Sequence, residues 1–234
     1  MDLKYANHTD FVVAGACALS LLAFTINIKL ASVIPLYLNG LIILGIFVYW
    51  AVRKDATGKL KRSLIIGGVA GAFYTFVDSV FVGEQMIIYL RRDVKIFDTP
   101  ASIVLAWIYC IAIAIYIYMR LRSVFSRFYI PSLLTGASAF LSSVVLHYLG
   151  ERARLWVWNA KSVPLSLSIL STPLFVPIAF FLTFFLSPYI VGGQRITRRI
   201  GLSDNPIVAG FRCAVILAMT VHISLFIPLR FSAG

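Results

Sequence analysis

Long apolar runs alternate with short basic interruptions along the whole chain. A helix that crosses a bilayer needs about 20 mostly apolar residues. Seven runs come near or exceed that length: 11–28, 33–52, 63–90, 99–119, 131–150, 163–191 and 207–229. The separators are RKDATGKLKR at 53–62, RRDVK at 91–95, RLRSVFSR at 120–127 and QRITRR at 194–199. Lipid admits only helices or closed barrels, and these runs are too long for barrel strands. The pattern predicts an all-α integral membrane protein, a bundle of seven transmembrane helices forming a single domain over 1–234.

Composition agrees. Hydrophobic residues make up 60% of the chain and charged ones only 13%, with a mean hydropathy of +0.92. A soluble domain cannot bury so large an apolar share. The net charge of +12 would suggest nucleic acid in a soluble protein, but here the cations cluster between apolar runs, where they face headgroups. Nucleic acid is therefore excluded as a partner. Twelve Lys and Arg fall on the N-terminal side of the predicted bundle and eight on the other, with Arg212 inside the last run. That bias predicts a cytoplasmic N-terminus. No basic leader with a small-residue cleavage site precedes the first apolar run, which reads as a retained anchor. Cys17, Cys110 and Cys213 are scattered in apolar runs and read as small buried hydrophobes.

One phrase occurs twice. TPASIVLAW stands at 99–107 and TPLFVPIAF at 172–180. AFYTFVDSVFVGE (72–84) precedes the first and AFLSSVVLHYLGE (139–151) the second, each reading Ala-Phe, nine residues, Gly-Glu. Thr-Pro alone marks many helix starts, with Thr as cap and Pro in the first turn. The two matched pieces in order predict more: a parallel internal repeat of helices three and four with helices five and six, aligning Glu84 with Glu151. Repeats of this kind place a site at their interface. Pro164, Pro173, Pro177 and Pro188 break the sixth region, which reads as a kinked helix preceded by a short re-entrant piece.

Ionisable groups inside lipid are costly and mark functional sites. Asp78 lies mid-run with no Lys or Arg within ten residues, so it faces the bundle interior, as a reacting group or as an interhelical hydrogen bond. Glu84 and Glu151 stand near helix ends, and His147 lies four residues before Glu151, within reach on one helical face. The competing reading pairs these acids with Arg91, Arg92, Arg152 or Arg154 at the interface. Tyr89, Trp107, Trp156 and Trp158 are candidate walls of a pocket beside the carboxylates, since aromatic faces stabilise cations. His222 and Arg212 are pocket members or interhelical bonds. No metal-ligand spacing, phosphate loop or nucleophile elbow occurs, so neither a metal nor a cofactor is expected. The last run has no lysine for a retinal Schiff base.

An acid closing helix three, a Tyr, a Pro-started helix reaching Ala-Trp, then an acid, a W-x-W and a second Pro-started helix follow in order. This resembles, distantly, the carotenoid biosynthesis protein family of membrane hydratases and related seven-helix prokaryotic membrane proteins. Those hydratases add water to the terminal double bonds of acyclic carotenoids. The likeness covers about 85–180: Glu84, Tyr89, Pro100 and Trp107 fall in its first block, Glu151, Trp156, Trp158 and Pro173 in its second. MIIYLRRD stands where the family has Phe-Gly-x-Tyr-x-Tyr, and the second block ends on Phe180 instead of Trp. The resemblance implies a cofactor-independent lyase of the prokaryotic cytoplasmic membrane acting on an isoprenoid.

Three functions follow as expectations. The first is a membrane enzyme that protonates an alkene of an isoprenoid or carotenoid chain, leading to hydration, dehydration or cyclisation. Asp78 or Glu151 would be the acid, Glu84 its counterpart and His147 a tuner, with Tyr89, Trp107, Trp156 and Trp158 holding the substrate. The second is a proton- or cation-coupled transporter or channel. The third is a structural subunit of a membrane complex. A lipid-accessible, aromatic-walled pocket favours the enzyme; a polar-lined pore favours transport.

Overall fold

The computed structural model describes residues 7–30, 32–127, 129–159, 162, 167–192 and 203–232, with side chains as far as Leu225. Among them are eight helices: α1 (His8–Leu30), α2 (Ile34–Arg53), α3 (Lys59–Gly83), α4 (Ala101–Val124), α5 (Tyr129–Arg152), α6 (Phe175–Phe185), α7 (Ser187–Val191) and α8 (Pro206–Ser232). Six of them, all but α6 and α7, are long and apolar enough to cross a membrane. Only a third to a half of each apolar window is buried in the bundle. The outward faces carry large aliphatic groups such as Leu22, Ile42, Val52, Leu141 and Met219. In water such faces would be strongly unfavourable; in hydrocarbon they are the ordinary surface. The chain is an integral membrane protein.

The helix ends explain themselves locally. Asn7 and Asp10 exchange side-chain-to-backbone hydrogen bonds of 2.9 Å each, a reciprocal cap on α1. The Asp55 carboxylate takes the Leu60 amide at 2.7 Å and so starts α3. At the same end of the bundle, Asp10 pairs with Arg120 at 2.9 Å and accepts the Tyr116 hydroxyl at 2.8 Å. Arg62 and Arg212 donate to the last carbonyls of α7, Val191 O at 2.7 Å and Ile190 O at 2.9 Å.

Two expected spans differ from what is found. The third ends as helix at Gly83, and Ile87–Tyr89 is a strand, β1, with Gln85 turned to a φ of 54° between them. The sixth is not one long helix. Residues 163–166 lie outside the described residues. Ser168–Ile169 (β5) and Thr172–Pro173 (β6) form a tight hairpin, and α6 and α7 follow as short helices broken at Leu186, just before Pro188. The expected Thr cap is also absent. Pro100, not Thr99, holds the N-cap position of α4 and caps nothing. The carboxylate of Asp93 reaches across to the Ser102 amide at 3.1 Å instead.

Two stretches follow one succession of elements. α3, β1, the hairpin β2 (Lys95–Ile96) with β3 (Thr99–Pro100), and α4 come first; α5, β4 (Trp156–Trp158), the hairpin β5–β6 and α6 come second. Their hydrogen bonds give the register. Met86 N donates to Phe81 O and Leu155 N to Gly150 O, both at 2.9 Å, and Gln85 and Arg154 carry the same positive φ, 54° and 53°. Asp78 therefore corresponds to His147, Tyr89 to Trp158 and Glu84 to Ala153. The sequence match of Glu84 with Glu151 is two residues out of this register, because Gly83 ends its helix while Gly150 lies inside one. Thr99 Oγ1 lies 3.4 Å from Thr75 O and Thr172 Oγ1 3.5 Å from Val144 O, again corresponding atoms.

The units meet through β1 and β4, which pair antiparallel with Ile88 opposite Val157 and Tyr89 opposite Trp156. α3 packs on α4 and α8, α5 on α6, α2 on α4, and α1 on α2 and α5. Gly67 and Gly71 let α3 approach α4 backbone to backbone: a Cβ on Gly71 would stand 2.9 Å from Ile108 N. Gly71→Val should therefore cost about 1–3 kcal/mol by overpacking. A fall in the thermal unfolding midpoint in detergent micelles, absent in the Gly68→Val control where there is open space, checks it.

Candidate functional site

Beneath the β1–β4 ribbon lies a cavity of about 390 Å³. Ile87, Tyr89, Trp156 and Trp158 form its roof, because alternation along the two strands turns these four to one side. Its walls come from α1, α3, α4, α5, α6 and α8. It follows α4 from Ile103 to Ile117, about 20 Å along the helix. Most of the lining is apolar or aromatic, and it includes no Lys, Arg or Glu. Cys17 and Leu21 of α1 and Ser138, Leu141, Ser142 and Val145 of α5 line it while also being exposed on the outer face, so the cavity opens sideways toward lipid between α1 and α5.

Asp78 stands in the wall, 5% exposed. Its Oδ2 accepts the Tyr89 hydroxyl at 2.8 Å and the Thr99 hydroxyl at 2.7 Å. No cation pairs with it; the one ion pair among the described residues is Arg120 with Asp10 at the far end. Burial, and then the Asp78 carboxyl beside it, hold the Tyr89 phenol well above its ordinary range, so Tyr89 stays a donor. With both hydroxyls on Oδ2, Oδ1 is the oxygen left to the cavity.

His147 lines the same cavity. Its ring lies 5.5 Å from those of Trp156 and Trp158. Gly150 makes this possible, since any Cβ there would overlap the Trp156 indole. Trp156 in turn meets Tyr89 edge-on at 6.5 Å, so two rings bridge Asp78 and His147. On the facing side Tyr74 meets Trp107 at 4.6 Å, and Trp107 stacks on Phe180 at 5.4 Å and 13°. The Nε1 atoms of Trp107, Trp156 and Trp158 are buried without a hydrogen-bond partner among the described residues. The rings thus serve as apolar faces and make no polar anchors.

Of the residues singled out by sequence, Asp78, His147, Tyr89, Trp107, Trp156 and Trp158 line one cavity. Glu84 and Glu151 do not: Glu84 is exposed as the residue after α3, and Glu151 is half-buried outside the lining. The expected meeting of Glu151 with His147 does not occur, nor do ion pairs of Glu84 or Glu151 with the nearby arginines among the described residues. His147 lies under the ribbon, and Glu151, one turn further along α5, lies outside the lining. Arg212 sits near the start of α8 as an interfacial donor, and His222 is exposed, its Nδ1 2.7 Å from Ala218 O of its own helix. Neither lines the cavity. Sequence reasoning missed Thr99 and Tyr74. Thr99 was hidden by the helix-start meaning of Thr-Pro, although the recurrence of that pair was itself the signal. Among the described residues no three His, Cys, Asp or Glu side chains gather as metal ligands would.

No family model matches the chain, and neither curated proteins nor solved structures give a match. The site's chemistry rests on its own residues.

Removing either hydroxyl should loosen Asp78. Thr99→Val and Tyr89→Phe are each expected to cost about 1 kcal/mol, and together to differ from the sum because they share Oδ2. Thermal unfolding of the single and double variants in detergent, with Asp78→Asn as the third corner, measures that coupling.

Proposed function

We propose that this protein is a membrane-embedded enzyme that protonates an alkene in an isoprenoid or carotenoid chain, with Asp78 as the acid. One observation carries the reading: a lone carboxyl group, unpaired with any cation among the described residues, faces an aromatic cavity open to lipid. Two hydroxyls held on Oδ2 orient the carboxyl and leave Oδ1 to present its proton. Transfer to a trisubstituted double bond leaves a tertiary cation. Tyr74, Trp107, Trp156 and Trp158 surround the space in which that charge forms, and aromatic faces stabilise it without capturing it. No cofactor enters this chemistry. Glu84 and Glu151, outside the lining, have no part in it.

The corresponding hydrogen bonds of the two helix–strand–hairpin–helix units support a duplicated origin for α3–α4 and α5–α6. In the same reading α6 and α7 together complete a seventh crossing, the N-terminus is cytoplasmic, and the membrane is the prokaryotic cytoplasmic membrane. A cavity of about 390 Å³ holds one end of a long isoprenoid, and the remainder passes out between α1 and α5. Proton-coupled transport is the second reading, favoured by an unpaired acid where two repeats meet. The apolar lining and sideways opening fit it less well than a continuous polar path would.

Mass spectrometry of lipid co-purifying from a carotenoid-producing host tests the reading. A bound polyene or prenyl chain is expected in the wild type. Ser142→Trp, at the mouth, should strongly reduce it, and Asp78→Asn should keep it bound but unconverted. Bulk phospholipid alone, unchanged by either substitution, would overturn the reading and turn attention to proton flux in liposomes.

A further inference from the structure

His147 occupies in the second unit the position that Asp78 occupies in the first. Each stands at the same distance from the positive-φ residue that ends its helix, Gln85 or Arg154. Each lies one turn past the carbonyl nearest the hairpin threonine's hydroxyl, Thr75 O at 3.4 Å or Val144 O at 3.5 Å. Both line the one cavity, and both sit under the ribbon formed by β1 and β4. A carboxyl group and an imidazole thus line one cavity from corresponding positions on either side of the Ile88–Val157 pair.

We propose that His147 is the base of the reaction begun by Asp78, and that the reaction is an isomerisation, either a double-bond shift or a ring closure, in place of a hydration. The proposal rests on the reading of Asp78 as the acid. Asp78 Oδ1–H gives its proton to one alkene carbon; the π pair forms the new C–H bond and leaves a tertiary cation. A second double bond of the chain can attack that cation, moving the charge along. His147 then takes a proton from the carbon next to the cation, and that C–H pair becomes the new C=C bond. The product has the atoms of the substrate. The proton on His147 returns to Asp78 and restores both groups, so no co-reactant is consumed.

Two features favour this over capture by water. His147 Nδ1 is closed off in the wall without a partner among the described residues, which leaves Nε2 as the nitrogen toward the cavity. The groups packed around the imidazole are the indoles of Trp156 and Trp158, whose nitrogens are likewise closed off and cannot hold a water. A positioned water needs two or more polar partners. The Ser143 hydroxyl, one turn before His147, is spent on Phe140 O at 2.9 Å. The remaining titratable groups of the lining are Tyr74, Tyr89, Tyr109, Cys17 and Cys110. Of the neutral side chains in the lining the imidazole is the base, and once Asp78 has given up its proton the other acceptor there is its own carboxylate.

The purified full-length protein in liposomes, given an acyclic carotenoid or geranylgeraniol in D₂O, provides the test. A product isomeric with the substrate, carrying one deuterium in place of one hydrogen, is expected. His147→Gln should retain its bound chain and turn it over at least tenfold more slowly. A product heavier by one D₂O in the wild type would overturn the isomerase while leaving Asp78 as the acid. Unchanged substrate with no deuterium in either probe would overturn the reading of Asp78 as the acid and the proposal with it. Turnover in His147→Gln equal to the wild type would overturn His147 as the base, and should that variant lose its chain on purification, His147→Asn takes its place in the same assay.

Discussion

Three residues pair with three others at one end of the bundle, and the site depends on that pairing. A two-stranded ribbon this short has no stability of its own. It persists because helix ends deliver both strands already aligned. Each helix closes with the same bond across a left-handed residue, and Leu90 N to Leu155 O and Asn159 N to Met86 O lengthen the ladder at both edges. Buried backbone groups must find partners, and here each unit supplies the other's. Because strand side chains alternate, Ile87, Tyr89, Trp156 and Trp158 are then forced to the same face. The roof of the cavity is a consequence of satisfying six residues of backbone.

The same arrangement aims the acid. Asp78 is one of the few ionisable groups deep in the bundle, and its two donors come from different places in the chain: Tyr89 from the ribbon, Thr99 from the hairpin that follows it. The hairpin is fixed by Ala101 N on Val94 O at 2.7 Å and by the hydrogen bonds of Asp93 to Ser102. The carboxyl group is thereby held by three separate pieces of backbone, a constraint that costs conformational entropy.

Neither unit forms the site alone. The first brings Asp78, Tyr89 and Trp107; the second brings His147, Trp156, Trp158 and Phe180. Corresponding positions carry different chemistry, an acid against an imidazole and a phenol against an indole. The Trp107–Phe180 stack joins corresponding residues of the two units at the centre. Two similar successions of elements are filled by unlike side chains, so the cavity has two chemically distinct sides.

The membrane character of the chain was fixed by sequence alone, since apolar runs of some twenty residues leave no alternative in water. So was the isolation of Asp78, because every cation within helical reach is missing from the string itself. The repetition of Thr-Pro and of the Ala-Phe segments was visible too, but its register was not. Gly-Glu looked like the landmark, while the true landmark is a backbone torsion, φ near +54° at Gln85 and +53° at Arg154, which residues of quite different type adopt. Apolar periodicity also could not reveal that residues 87–89 leave the helix, because a strand under lipid is as hydrophobic as the helix before it. Which acids face inward was decided only by tertiary structure. Glu84 and Glu151 are charged residues near helix ends, and nothing in their neighbours distinguishes a pocket from a headgroup layer. Asp78 and His147 share a cavity because a ribbon of distant residues draws two helix ends together, and that pairing is a long-range contact no local pattern encodes.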